Sequence, residues 1–157
     1  MSIEACRAYL RRRGVEDRIR EFDVSSATVE LAAQALGCPP AHIAKTLSFA
    51  VGEGCVLVVC AGDAKIDNSK FKAMFHTKAT MLTPAQVEAF TGHSVGGVCP
   101  FAIENPAVTT YLDVSLRRFE TVYPAAGNAA SAVELNCEEL FQLSNAAGWA
   151  DVCKNWA

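Results

Sequence analysis

A chain of 157 residues, 51% hydrophobic and 20% charged, is long enough to bury a real core and has a globular composition. Its longest apolar run, Cys55 to Ala61, is seven residues, against about 20 for a membrane-spanning helix, so no span and no membrane partner are expected. A formal net charge of −3 excludes a general basic field for nucleic acid, and any contact with a polyanion has to be local.

The chain opens with "MSIEACRAYLRRRG", which is charged and amphipathic and has no hydrophobic h-region, so a cytoplasmic location is expected. Ile3, Cys6 and Leu10 fall on one face of a first helix stopped by Gly14. A short strand is predicted from Ile19 to Val24, then a helix over "TVELAAQALG", capped by Ser26 or Thr28 and ended by Gly37. Pro39 and Pro40 force a break. "KTLSFAV" alternates, with Leu47, Phe49 and Val51 on one side and Thr46, Ser48 and Ala50 on the other. "CVLVVCA" is apolar on both faces, as a central strand is, and "VGEG" joins the two strands as a hairpin.

A helix capped at Asp67 follows. Another starts at Thr83, where "TPAQ" places Thr83 at N-cap, Pro84 at N1 and Gln86 at N3, and it ends at Gly92. "TTYLDV", "ETVYPA" and "SAVEL" read as short strands, and a last helix runs from Asn136, with Glu139 three residues on, to Gly148. Strands separated irregularly by helices predict an α+β (mixed α/β) fold, with a largely antiparallel mixed sheet flanked by helices in a single domain over 1–157.

Seven cysteines, Cys6, Cys38, Cys55, Cys60, Cys99, Cys137 and Cys153, are scattered without a CxxC pair. Cys38 with His42 is one pair and makes no zinc pattern, so no metal is expected and reduced structural thiols are. Lys65, Lys70, Lys72 and Lys78, Arg11 to Arg13, and Arg117 with Arg118 form basic clusters that read as solvated faces or, if a polyanion binds, as its contacts.

Two places break the pattern. Lys45 shares strand parity with Ile43, Leu47 and Phe49 on a face that should be buried. It either snorkels to water from the strand end or stands at the mouth of a pocket for an anionic or carbonyl-bearing ligand. The second is "TGHSVGGVCPF", residues 91 to 101. Its glycines allow close backbone approach and positive φ, and Pro100 stiffens the turn and restricts Cys99. It is a structural turn, a loop aiming N–H groups at one point, or the seat of a nucleophilic Cys99 with His93 as base.

"IAKTLSF", "VLVVCAGDAKIDNSKFK", "LTPAQVEAFTGHSVGGVCPF", "TYLDVSL" and "AAGNAASAVEL", in this order, resemble the YbaK family of prolyl-tRNA-synthetase-associated editing domains. The resemblance runs from about Phe22 to Leu140, and its most specific elements are Lys45 and the G-x-x-x-P loop Gly96-Gly97-Val98-Cys99-Pro100. It implies a mixed sheet flanked by helices and a small amino-acid pocket. The implied reaction is hydrolysis of the ester between a wrong amino acid and the 3′-terminal adenosine of tRNA, most often tRNA for proline. The implied partners are mischarged tRNA and prolyl-tRNA synthetase; no cofactor is implied.

On that resemblance Lys45, Gly96, Gly97 and Cys99 are the catalytic candidates, and Val98, Pro100, Asp113, Gly127 and Ser131 the substrate-binding ones. Lys45 would hold the adenosine, its phosphate or the amino acid. The loop would supply oxyanion donors, each typically worth roughly 2.7–4 kcal/mol. In several family members a substrate hydroxyl or thiol assists, so no Ser/His/Asp triad is required. The chain departs from the family at Cys99, where Ser or Thr is frequent, at Ala102, where glycine is, and at His93, where an aromatic is. These departures bear on which amino acid is removed.

The leading expectation is thus a free-standing deacylase acting in trans. Alternatives are a non-catalytic module binding tRNA or synthetase, and a cysteine hydrolase using Cys99; monomer and dimer both remain open.

Overall fold

The computed structural model describes residues 2–94 and 96–156; Val95, inside the glycine-rich stretch, lies outside the described residues. Helix α1 (Ser2–Arg12) buries Cys6 and Leu10 completely, as its apolar stripe requires. Strand β1 (Ile19–Glu21) is shorter than the sequence suggests, because it pairs only while it faces β7 (Ser131–Val133), and Val24 beyond it is 63% exposed. Helix α2 (Val29–Leu36) starts at Thr28, whose hydroxyl accepts from Leu31 N, and ends at Gly37 in the left-handed region.

Strands β2 (Ile43–Val51) and β3 (Gly54–Ala61) form the expected hairpin, in register from Ala44↔Ala61 to Val51↔Gly54. Strand β4 (Lys65–Ile66) leads into α3 (Asn68–Phe75), capped by Asp67. Helix α4 (Pro84–Thr91) carries the full Thr83–Gln86 capping box and stops at Gly92.

After β5 (Val108–Asp113) and β6 (Tyr123–Pro124), helix α5 (Cys137–Leu143) begins with the Asn136–Glu139 capping box. It does not reach Gly148. Its C-cap is Ser144, and Asn145 at φ +52° turns the chain. Ala147 N then donates to Thr110 O, which docks the segment beside β5 and makes Gly148 the first residue of β8 (Gly148–Ala150). A two-residue β9 (Cys153–Lys154) closes back on β4.

The fold is mixed α+β. The main sheet has the order β6-β2-β3-β5-β8, and its antiparallel character is confined to the β2–β3 hairpin; the other three neighbours run parallel. Parallel neighbours need crossovers and cover on both faces. Accordingly Cys55 to Ala61 of β3 are all buried. One face packs into the larger core with Phe49, Phe71, Phe101 and Leu116, and the other into a second cluster of Cys55, Leu57, Leu82 and Val87.

This double covering settles the environment of β2. It lies beside a strand buried on both sides, so Thr46 and Ser48, on the face opposite Leu47 and Phe49, are buried too (9% and 5% exposed).

Candidate active site

Strand β2 has an interrupted outer edge. Ile43 and Ala44 pair with β6, and Phe49 bridges Met81, flanked by bonds from Ala50 N to Thr80 O and from Leu82 N to Ser48 O. Between these contacts residues 45–47 have no strand partner on that edge among the described residues. Because Ser48 O and Ala50 N point outward, strand alternation points the N–H and C=O of Thr46 the same way.

A cavity of about 410 Å³ fills the gap, within the roughly 300–1,000 Å³ common for small-ligand sites. Its walls come from Lys45 and Thr46 of β2, Val29 and Ala32 of α2, Leu82 and Val87 below, Gly96 and Val98 of the glycine-rich loop, and Ser131 of β7.

Two hydroxyls among the lining residues stand out. Ser26 Oγ and Thr46 Oγ1 are buried and have no hydrogen-bond partner among the described residues. An unmade bond of that kind costs about 1–3 kcal/mol in a native protein and asks for an explanation; a polar ligand supplies one. Lys45 also reaches the cavity wall, and its ammonium donates to Gly62 O (3.4 Å) and to Ala64 O. An ammonium has three N–H groups, so one remains for a ligand. Asp63, between those two carbonyl-bearing residues, has its carboxyl held below the usual range, first by the hydrogen bond from Arg118 and more weakly by the charges of Arg118 and Lys45.

The loop meets Lys45 across this one cavity. Gly96 lies at φ +95°, a conformation that L side chains rarely adopt, and Gly97 sits so close to Asn128 that a Cβ would come within 2.4 Å of the Asn128 Cα. Gly97 is therefore a packing glycine. Its N–H donates to Ser94 O at 3.1 Å, so it is not free to meet a ligand, whereas Gly96 and Val98 line the cavity and their N–H groups carry no partner among the described residues.

Ser131 lines the cavity as well; its Oγ accepts from Ala126 N. Gly127, at φ +106°, lies in the turn next to Asn128 on which Gly97 rests.

Three other candidates are placed elsewhere. Pro100 faces a different cavity, of about 600 Å³, together with Tyr9, Arg13 and Thr110. Asp113 is fully buried as a structural cap, accepting from Ser115 N and Val152 N at 2.9 Å each. Cys99 is fully buried behind the loop, 3.4 Å from Cys6 Sγ and 3.6 Å from His93 Nε2. Burial, reinforced by the Cys6 thiol, pushes the Cys99 thiol well above its ordinary value, and burial, partly offset by the Phe101 carbonyl, pushes the His93 imidazole below its own. Burial thus denies Cys99 the access a nucleophile needs and speaks against the catalytic role offered for it from sequence.

Sequence reasoning passed over Ser26 and Thr46. A signal existed: "CVLVVCA" demands cover on both faces, so the polar residues of the adjoining strand had to be buried on the second face. None of the described residues lining the cavity is His, Asp, Glu or Cys. Among the described residues, then, no carboxylate, imidazole or thiol base lines it.

The sequence matches the family model of the aminoacyl-tRNA editing domain over residues 23–143. It is 49% identical over 158 residues to the uncharacterized protein YwhH of Bacillus subtilis (strain 168), with 99% of each chain covered. A protein of Enterococcus faecalis named as a candidate Cys-tRNA(Pro)/Cys-tRNA(Cys) deacylase, EbsC, is 31% identical over 121 residues, covering 75% of this chain and 73% of its own. A solved structure described as a candidate trans-editing enzyme for prolyl-tRNA synthetase superposes with a TM-score of 0.87 at 28% identity, covering 98% of this chain and 97% of that one.

Proposed function

The chain belongs to the aminoacyl-tRNA editing domain family, and from that premise we propose that it is an aminoacyl-tRNA deacylase acting in trans beside prolyl-tRNA synthetase. The bond cleaved is the ester between a small amino acid and the 3′-terminal adenosine of mischarged tRNA for proline.

The observation that carries this reading is the cavity at the unpaired edge of β2, where Lys45, Thr46, Ser26, Gly96 and Val98 converge and two buried hydroxyls lack partners. A small aminoacyl group enters the apolar end, walled by Ala32, Leu82, Val87 and Val98. Its polar atoms meet Ser26 Oγ and Thr46 Oγ1. A second sieve of this kind has a physical rationale, because one methylene in a synthetic pocket discriminates by only about 1–3 kcal/mol.

Water, or the substrate's own hydroxyl or thiol, adds to the ester carbonyl, and negative charge gathers on the carbonyl oxygen. The N–H groups of Gly96 and Val98 and the remaining N–H of Lys45 are the donors suited to it. The carbon–oxygen bond to the ribose then breaks, and the ribose oxygen leaves with the proton given up by the attacking group. The absence of His, Asp, Glu and Cys from the described cavity walls favours assistance from the substrate over a side-chain base.

The test is a deacylation screen over alanyl-, cysteinyl-, seryl- and threonyl-tRNA for proline, with wild type and Lys45→Ala. Release of at least one amino acid is expected, slowed about 10²-fold by Lys45→Ala in a protein of unchanged fold. tRNA binding without release anywhere on the panel would instead establish a non-catalytic module.

A further inference from the structure

Behind the loop, on the side away from the cavity, lies a cluster the deacylase reading does not use. Cys6 of α1, His93 after α4, and Cys99 are each buried, and their ligand atoms lie within 4.8 Å of one another. We propose that Cys6, His93 and Cys99 bind a thiophilic d10 cation, Zn²⁺ foremost, with the carbonyl oxygen of Phe101 as the fourth ligand.

The distances carry it. Ligands at zinc bond lengths of about 2.0–2.3 Å in a tetrahedron stand roughly 3.3–3.8 Å apart. Here Cys6 Sγ to Cys99 Sγ is 3.4 Å, Cys99 Sγ to His93 Nε2 is 3.6 Å, Cys6 Sγ to Phe101 O is 4.0 Å and His93 Nε2 to Phe101 O is 2.8 Å. The two contacts of Cys99 Sγ fall at zinc spacing, and those of Phe101 O, at 2.8 and 4.0 Å, require a shift of a few tenths of an ångström for the four donors to share one cation. Two thiols and an imidazole are also the donor set that soft d10 ions select.

A carbonyl only accepts, so the short contact to Phe101 O places the ring proton on Nε2 in the metal-free chain; Nδ1 has no partner among the described residues in either state. On binding, that proton moves to Nδ1, both thiols lose theirs to solvent, and the cation takes up the two thiolates, Nε2 and the carbonyl oxygen. A disulfide between the two thiols is the competing chemistry. It needs an oxidant and gives the imidazole no role.

The sequence hides this site because the ligands are far apart: Cys6 is 93 residues from Cys99, and the nearer pair is His-x5-Cys. Those two bracket Gly96 and Val98, so a cation here clamps the loop at both ends and ties it to α1. The consequence for catalysis, a loss of deacylation on chelation, rests on the proposed function; metal binding itself does not.

The test is elemental analysis of the full chain after gel filtration, followed by chelation and titration of the apo protein with Co²⁺. Expected are about one zinc per chain, and a cobalt complex with thiolate charge-transfer and tetrahedral d–d absorption that Zn²⁺ displaces. Cys6→Ala and His93→Gln should each weaken Zn²⁺ binding by more than tenfold; since either variant can misfold, the wild-type titration decides alone. Absence of the cobalt–thiolate spectrum, or a Cys6–Cys99 disulfide mapped in the purified protein, overturns the proposal. A metal-loaded chain that deacylates nothing sinks the editing reading and leaves this one standing.

Discussion

At the scale of single residues, the cavity separates groups that hold the fold from groups that the proposed function assigns to a ligand. Thr46 Oγ1 is buried and unpartnered, so Thr46→Val, nearly isosteric, should raise stability by about 1 kcal/mol while lowering deacylation. A gain in one with a loss in the other is the mark of a ligand-binding hydroxyl; a fall in the denaturation midpoint would count against it. Asp63 gives a pH handle. Its carboxyl sits below its ordinary value of 3.8, chiefly through Arg118. The stabilisation it contributes is complete above that value and disappears as pH falls through its lower folded value. Thermal midpoints of wild type and Asp63→Asn should therefore converge below about pH 4 and differ above it, by little, since the pair is partly exposed. Lys45 was legible as an anomaly from strand parity alone. Thr46 was legible only through its neighbour: alternation in its own strand says nothing of its second face, and the doubly apolar run of β3 is what demands cover there.

At the scale of elements, the glycine-rich loop is shaped by what it leans on. Gly97 rests against the Asn128 backbone, and a Cβ there would meet Asn128 Cα at 2.4 Å. Backbone cannot swing away as a side-chain end can, so Gly97→Ala should cost about 1–3 kcal/mol and shift Gly96 and Val98 in the cavity wall. A chemical-denaturation midpoint and a deacylation rate, both lowered, are the expected readings. The helices behave more simply. Asp67, Thr83 and Asn136 each cap the helix the sequence assigns them, and Thr28, one of two residues offered, caps α2, all through bonds to nearby backbone N–H groups. Such local chemistry is legible because donor and acceptor are three residues apart. The end of α5 was misread for the complementary reason: Asn145 takes the left-handed turn that Gly148 was expected to supply, and docking of Ala147 on Thr110 ends the helix early.

For the molecule as a whole, the parallel neighbours of β3 and β5 require connections that return across the sheet, and Asp113 is where several of them are tied. Its two oxygens accept from Ser115 N, which opens the turn after β5, and from Val152 N near the C-terminal strands. Asp113→Ala leaves both buried donors unpaired and should cost roughly 2–4 kcal/mol, read as a lower unfolding free energy. Protein that remains folded should keep its deacylation constants, since Asp113 does not line the cavity. A selective loss of kcat with stability intact would place it in the active site after all.

The sequence by itself determined the helices and their caps, the β2–β3 hairpin, the family resemblance, and the pairing of Lys45 with a glycine-rich loop as the places to look. These are local or nearly local facts, set by side-chain type and spacing. Only the tertiary structure decided that the outer edge of β2 stays unpaired between β6 and Met81, that Ser26 and Thr46 face the resulting cavity, and that Cys99 turns away from it toward Cys6 and His93. Each depends on contacts between residues tens of positions apart. Which groups meet there is fixed by the packing of the whole chain, and periodicity along one segment carries no record of it.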